Sequence, residues 1–274
     1  MKYLITNADD FGWGIDVTRG IVDSFEKGVL TSSSVIISEI DRESLEVIKN
    51  IEGIGMGLHL NIATGVPLTQ KWREKHGDFT HPTRPKSVEG YVQENWEAHF
   101  GKYSEEDVFA EFEAQFALFK SLLGKNPDHL DTHYNTSSVL PVFRAYMKIA
   151  HEHSLPVRHP VKYPSGQNKV SFKSKTSELI VVTEYLEKLR ENDVLVADYF
   201  SPEYVNLYED YIDAVLSECS KVSDGQSLEI SFHPGYREDW RRKQVEILTD
   251  PKLKKALREA NVELINYYDL AKFK

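Results

Sequence analysis

The sequence predicts an α/β chain, an irregular or incomplete (β/α) barrel of seven to eight parallel strands with a lid-like insertion. Three observations lead there. Apolar runs of strand length alternate with stretches of helical period, the pattern of βα units around a parallel sheet. Residues able to do chemistry fall at the carboxyl ends of those runs, where such barrels gather their sites. The length of 274 residues, with 41% hydrophobic and 11% aromatic content, suits one large core. One domain, 1–274, is therefore expected, with an insertion at about 64–103.

The first run, Tyr3 to Thr6, leads into Asn7-Ala8-Asp9-Asp10-Phe11-Gly12. Two adjacent carboxylates raise one another's pKa unless a proton or a cation is shared between them. The alternative is a helix cap, an Asp binding backbone amides at the start of the next helix. Neighbouring side chains on a regular strand point to opposite faces, so both can reach one site only if the strand ends or bulges by Asp9. Gly12 and Gly14 permit such a turn.

Ile15 to Lys27 places Val17, Ile21, Val22 and Phe25 on one face and ends at Gly28, an expected left-handed cap. Ser33 to Ile37 and Ile54 to Leu60 are the next strands, and the latter carries His59 at its end. From Thr64 to Tyr103 the pattern is lost in a polar, Pro-containing stretch with Trp72, His76, His81, Tyr91 and Trp96. A loop this long is functional or a small insertion. It reads equally as a lid and as a contact for a second copy of the chain.

Glu105 to Leu123 opens with Ser104 and Asp107 in capping-box spacing and stops before Gly124. Its stripe of Val108, Phe112, Phe116, Phe119, Leu122 and Leu123 is core packing. His129 to Asp131 is the fourth strand, running into Thr132 and His133. Leu140 to His153 is a helix with Pro141 in its first turn, where the missing amide costs nothing. Pro156 to Arg158 and Val194 to Ala197 are short strands, separated by a polar stretch at Lys162 to Lys175. Tyr204 to Ser217 is an amphipathic helix. Leu228 to Phe232 runs into His233-Pro234-Gly235, and the helices Trp240 to Leu248 and Lys252 to Ala260 precede a last strand, Glu263 to Ile265.

In a barrel of parallel strands Asp9, Asp10, His59, Asp131, His133, Asp198 and His233 converge on one face. Asp10, His59 and His133 make a two-histidine, one-carboxylate set that leaves positions open on a divalent metal. Taken alone, His59 reads as a core histidine; the converging set is what gives it another role.

Composition narrows the function. The net charge of −10, from 33 basic and 43 acidic residues, argues against the basic footprint of a general nucleic-acid binder and suits a neutral or cationic ligand. Met1-Lys2 leads straight into a strand with no signal-peptide pattern, and no apolar run approaches the ~20 residues needed to span a bilayer. Cys219 is the one cysteine, so no intrachain disulfide forms, which fits a cytoplasmic protein. It reads as an ordinary thiol on a helix.

The Asn-Ala-Asp-Asp-Phe-Gly start, the Gly-Val-Leu-Thr-Ser-Ser-Ser stretch from Gly28 to Ser34, the Gly-Leu-His of residues 57–59, the His-Leu-Asp-Thr-His of residues 129–133 and the His-Pro-Gly of residues 233–235 resemble the YdjC-like carbohydrate deacetylases. That family includes the chitooligosaccharide deacetylases. The similarity runs in order from about Tyr3 to Leu270. It departs after His133, where Tyr134 and Asn135 stand in place of further histidines.

The resemblance implies hydrolysis of the acetyl group of N-acetylated mono- or oligosaccharides in carbohydrate catabolism. It also implies one divalent metal ion, magnesium or zinc, on Asp10, His59 and His133, with Asp9 as general base and His233 as proton donor to the leaving amine. Asp131 is expected to hydrogen-bond a ligand histidine, and Asn61, Arg158, Asp198 and Tyr134 are candidates for supporting the ligands or touching substrate. The aromatics of the 64–103 insertion would then face sugar rings. A homodimer is expected, with an acetylated sugar as partner and no nucleic acid or membrane. The alternatives are a metal-assisted sugar isomerase, another amide hydrolase, or a catalytically silent carbohydrate-binding protein. Retention of Asp9 and His233 speaks against the silent form, since binding alone needs neither a base nor an acid.

Overall fold

A computed structural model describes residues 1–80, 98–159, 194–201, 209–270 and 272. Its strands are β1 (Lys2–Phe11), β2 (Ser32–Val35), β3 (Gly55–Leu60), β4 (Leu130–Thr132), β5 (Tyr199–Ser201), β6 (Ser227–Phe232) and β7 (Val262–Leu264). Every pairing among them is parallel, in the order β4-β3-β2-β1-β6-β5. β1 is the spine. One edge meets β6 from Tyr3 to Ala8; the other is shared between β7 beside Lys2–Leu4 and β2 beside Asn7–Phe11.

Single parallel bridges join Leu130 to Val157 and Val157 to Val196. The pairings therefore run from β4 through Val157 to the residues just before β5, and back through β6 to β1. The sheet is curled into a barrel that is weakest at Val157. Strands expected at Pro156 to Arg158 and Val194 to Ala197 are reduced to these bridges. Next to them the Asp198 carboxylate accepts from the Ser227 backbone amide at 2.8 Å and hydroxyl at 2.7 Å, just before β5 pairs with β6 from Tyr199.

Around the sheet lie α1 (Ile15–Lys27), α2 (Arg42–Asn50), α3 (Gln70–His76), α4 (Glu105–Leu123), α5 (Leu140–Glu152), α6 (Tyr211–Ser220), α7 (Asp239–Thr249), α8 (Pro251–Glu259) and α9 (Tyr267–Leu270). The α4 boundaries follow from its ends: Ser104 Oγ accepts the Asp107 amide, and Gly124 closes the helix in the left-handed region at φ 67°. Phe112, Phe116 and Phe119 are buried, as their spacing requires. α6 begins at Tyr211, capped by Asp210; the part of the expected helix over 204–208 lies outside the described residues.

Two expectations are corrected. Gly28 is not a left-handed cap but has φ −126°. Glycine is needed there for space: a Cβ would stand 2.2 Å from the Leu248 carbonyl, the same oxygen that accepts the Val29 amide. The described flanks of the insertion do not offer rings to a ligand either. Trp72, Phe79, Phe100 and Tyr103 are buried, and Trp72 packs against Tyr103 and Phe79 at centroid distances of 4.7 and 5.3 Å. The apolar faces of these rings are removed from water by one another and by α4, which leaves none for a sugar. His81, Tyr91, Trp96 and the stretch Lys162 to Lys175 lie outside the described residues.

Candidate metal and catalytic site

β1 continues past Thr6 through both aspartates. Against β2, Ala8 pairs with Ser33 and Phe11 with Val35, so three steps on β1 match two on β2. The extra residue is a β-bulge. Asp10 sits in the left-handed region at φ 71°, which Asp tolerates better than most residues. Gly12 follows at φ 87°, where a Cβ would come within 2.8 Å of Ile40. The bulge turns both carboxylates into one buried cluster and answers the opposite-face objection. Neither aspartate caps α1, which starts after Gly14 with no side-chain cap.

Asp10 Oδ1 lies 3.1 Å from His133 Nδ1 and 3.6 Å from His59 Nε2. One potential ligand atom from each of the three residues falls within 4.8 Å of the others, and all three side chains are buried. Asp10 Oδ1, His59 Nε2 and His133 Nε2 make no hydrogen bond among the described residues. Buried lone pairs left unmatched are costly, and a cation is what this donor set fits. A second group, Asp9, His59 and Asp131, is also close enough. There Arg158 already supplies the positive charge, 2.6 Å from Asp9 and 3.0 Å from Asp131.

The surrounding bonds fix these groups. His59 Nδ1 lies 2.6 Å from Asp131 Oδ1 and 3.2 Å from Ser34 Oγ, and Ser34 also donates to Asp131 at 2.7 Å. That arrangement leaves the Nε2 side of His59 facing Asp10. Arg158 grips Asp9 with two bonds of 2.8 and 2.6 Å and donates its Nε to Glu229 on β6 at 2.7 Å. Tyr267 on α9 closes the chain with a 2.5 Å bond to Glu229. On the other flank Arg241 of α7 donates to Asp10 Oδ2 at 2.7 Å and to the His233 carbonyl at 3.3 Å. His233 Nε2 stands 3.8 Å from Asp9 Oδ2.

Electrostatics follow. Burial by itself would raise the Asp9 pKa, but the charge and hydrogen bonds of Arg158 prevail and hold it below the usual range. Burial is likewise overridden at Asp10 by His133, His233 and Arg241, and at Asp131 by Arg158 and His59. For His59, burial opposes the cation, yet Asp131, Asp9 and Asp10 outweigh it and lift its pKa. At His133 burial wins over Asp10, and its pKa falls. Glu229 is raised by burial despite Arg158 and Tyr267.

Of the expected residues, Asp9, Asp10, His59, Asp131, His133, Arg158 and His233 come together, and Tyr134 lies at their rim with its ring 4.1 Å from that of His133. Asn61 and Asp198 do not join them. The Asn61 side chain is spent on its own turn, accepting the Ala63 and Thr64 amides and donating to Ser38 and the Thr64 carbonyl. Asp198 is bonded to Ser227 at the start of β6, the amino end of the sheet, because the strand after it begins later than the sequence suggests.

Four residues here were not foreseen: Ser34, Glu229, Arg241 and Tyr267. Ser34 and Glu229 left a trace in the sequence, as polar residues inside runs that should be apolar in a buried parallel sheet. Arg241 and Tyr267 left none, since each resembles an ordinary helix residue.

A family model described as YdjC-like protein matches residues 3–259. Carbohydrate deacetylase 2 of Listeria innocua is 29% identical, the match covering 98% of this chain and 99% of that protein. Chitooligosaccharide deacetylase of Proteus mirabilis is 25% identical over 97% and 98%. Among solved structures, a protein of Enterococcus faecalis V583 superposes with a TM-score of 0.75 at 26% identity, covering 98% of both chains. The Xyl-CE4 domain of a multidomain xylanase from the hindgut metagenome of Trinervitermes trinervoides, at 11% identity and a TM-score of 0.50 over 98% of this chain and 89% of that one, shares the fold.

Proposed function

The chain belongs to the YdjC-like family, and from that premise we propose that it is a carbohydrate deacetylase, hydrolysing the acetamide of N-acetylated mono- or oligosaccharides. The observation that carries this reading is a buried carboxylate clamped by an arginine, Asp9, directly beside a two-histidine, one-carboxylate donor set. The names of its relatives in Listeria innocua and Proteus mirabilis support it.

Asp10, His59 and His133 are the residues that would hold one divalent ion, with zinc and magnesium the two candidates. When bound, such an ion polarises the acetyl carbonyl and acidifies water. Asp131 accepts a hydrogen bond from Nδ1 of His59 and so directs the other ring nitrogen toward Asp10. Arg241 occupies Oδ2 of Asp10 and leaves Oδ1 for the ligand role.

Asp9 is the general base. Arg158 keeps it ionised, so it can take a proton from the attacking water at neutral pH. His233 then gives a proton to the sugar nitrogen as the C–N bond breaks, releasing acetate and a free amine. The test is acetate release from diacetylchitobiose by protein loaded with zinc or magnesium. Acetate is expected; conversion of aldose to ketose without acetate would replace this reading with an isomerase.

A further inference from the structure

Among the described residues, the large hydrophobic side chains that stand exposed are Met1, Val66, Tyr134, Trp240 and Tyr268. Trp240 is 43% exposed, yet it is not loosely held. The Arg241 guanidinium lies 4.5 Å from its ring centroid, and that arginine is itself fixed by Asp10 and Glu238. Arg241 also lies 5.7 Å from the Trp13 ring, and Trp13 meets His133 edge-on at 5.2 Å. The indole is thus positioned through the same side chain that positions Asp10, and it borders the site rather than the general surface.

Its place relative to His233 gives it a chemical meaning, which rests on the proposed function. The rings of His233 and Trp240 are 6.1 Å apart. A proton donor to the departing nitrogen must stand next to the sugar that carries it, whereas the acetyl group points to the carboxylate and histidine cluster. The pyranose therefore lies on the Trp240 side. Pyranoses with equatorial substituents present a flat face of C–H groups, the complement of an exposed aromatic ring.

We propose that Trp240 is a sugar-binding residue, a platform on which the amine-bearing pyranose stacks, and that it makes the site selective for sugars over other acetamides. The test measures kcat/KM for diacetylchitobiose and for acetanilide, a planar acetamide without a sugar, in wild type, Trp240→Ala and Trp240→Phe, with metal content determined alongside. The sugar-to-acetanilide ratio is expected to fall roughly tenfold in Trp240→Ala, through KM more than kcat, and to be largely restored by Trp240→Phe. An equal loss on both substrates overturns the proposal, and so does a fall in metal content, which would make the indole a mere support for Arg241. Tyr268→Ala, removing an exposed ring that neighbours Asp128 before the amino end of β4, is expected to leave the ratio unchanged.

Binding separates this proposal from the function it rests on. If wild type releases no acetate from any N-acetylated sugar, the deacetylase reading falls. The platform is then judged by calorimetry with chitobiose, which lacks acetyl groups. Binding weakened about tenfold in Trp240→Ala supports it, and equal affinity in the two proteins overturns it.

Discussion

Asp9 and Asp10 are neighbours with different surroundings, and the difference lies in one dihedral. With Asp10 at φ 71°, Asp9 faces Arg158 while Asp10 faces the two histidines and Arg241. Asp9→Asn is therefore expected to retain the metal and lose turnover by roughly a hundredfold or more, and His59→Ala to lose the metal, as read by metal content and acetate release. Normal activity in both variants would remove the mechanism. Ser34→Ala, which strips Asp131 of a hydrogen bond, should weaken metal affinity about tenfold in a competition titration with a chelating dye. Arg158 compensates Asp9, Asp131 and Glu229 at once in a buried setting. Arg158→Met should destabilise the fold by about 3–5 kcal/mol in urea unfolding, because it strands buried carboxylates.

At the scale of elements, α4 joins two kinds of support. Its aromatic stripe faces α5 and the sheet, and Phe112→Ala is expected to cost about 3–5 kcal/mol by the same measurement. Its first turn carries Asp107, which receives Lys71, Lys75 and His76 from α3. Burial alone would raise the Asp107 pKa; hydrogen bonds from Lys75, His76, Ser104 and Lys71 hold it well below the usual range. A depressed folded-state pKa contributes stability above the unfolded value near 3.9, and that contribution is lost as pH falls toward the folded value. Unfolding midpoints of wild type should thus drop more steeply below about pH 4 than those of Asp107→Asn. On α6, Cys219 is buried and its pKa is pushed up to about 12, chiefly by burial, so the native thiol should resist alkylation at neutral pH.

For the molecule as a whole, the sheet is unusually polar: Thr6, Asn7, Ser32, Ser33, Ser34, His59, Asp131 and Glu229 are all buried within its strands. Such polarity is what a site sunk among strand ends requires. Among the described residues no helix is long and apolar enough to cross a membrane.

Much of this was legible in the chain order. The alternation of strand-length and helical runs, the α1 and α4 boundaries, and the placement of Asp10, His59 and His133 at strand ends follow from local periodicity and from the rule that parallel barrels collect their chemistry on one face. What local pattern cannot hold is any bond between residues far apart in sequence. Arg241 reaches Asp10 across 231 positions and Tyr267 meets Glu229 across 38, and neither arginine nor tyrosine differs in its own neighbourhood from a surface residue. Asp198 shows the converse, a strand-end acid whose bond to Ser227 takes it to the opposite end of the sheet. Residue types and their order along the chain named the candidate donors, with the choice of Asp10 over Asp9 taken from the family resemblance, because coordination depends on which atoms are available. Tertiary structure decided which charges compensate them, because that depends on where the curled sheet brings its ends.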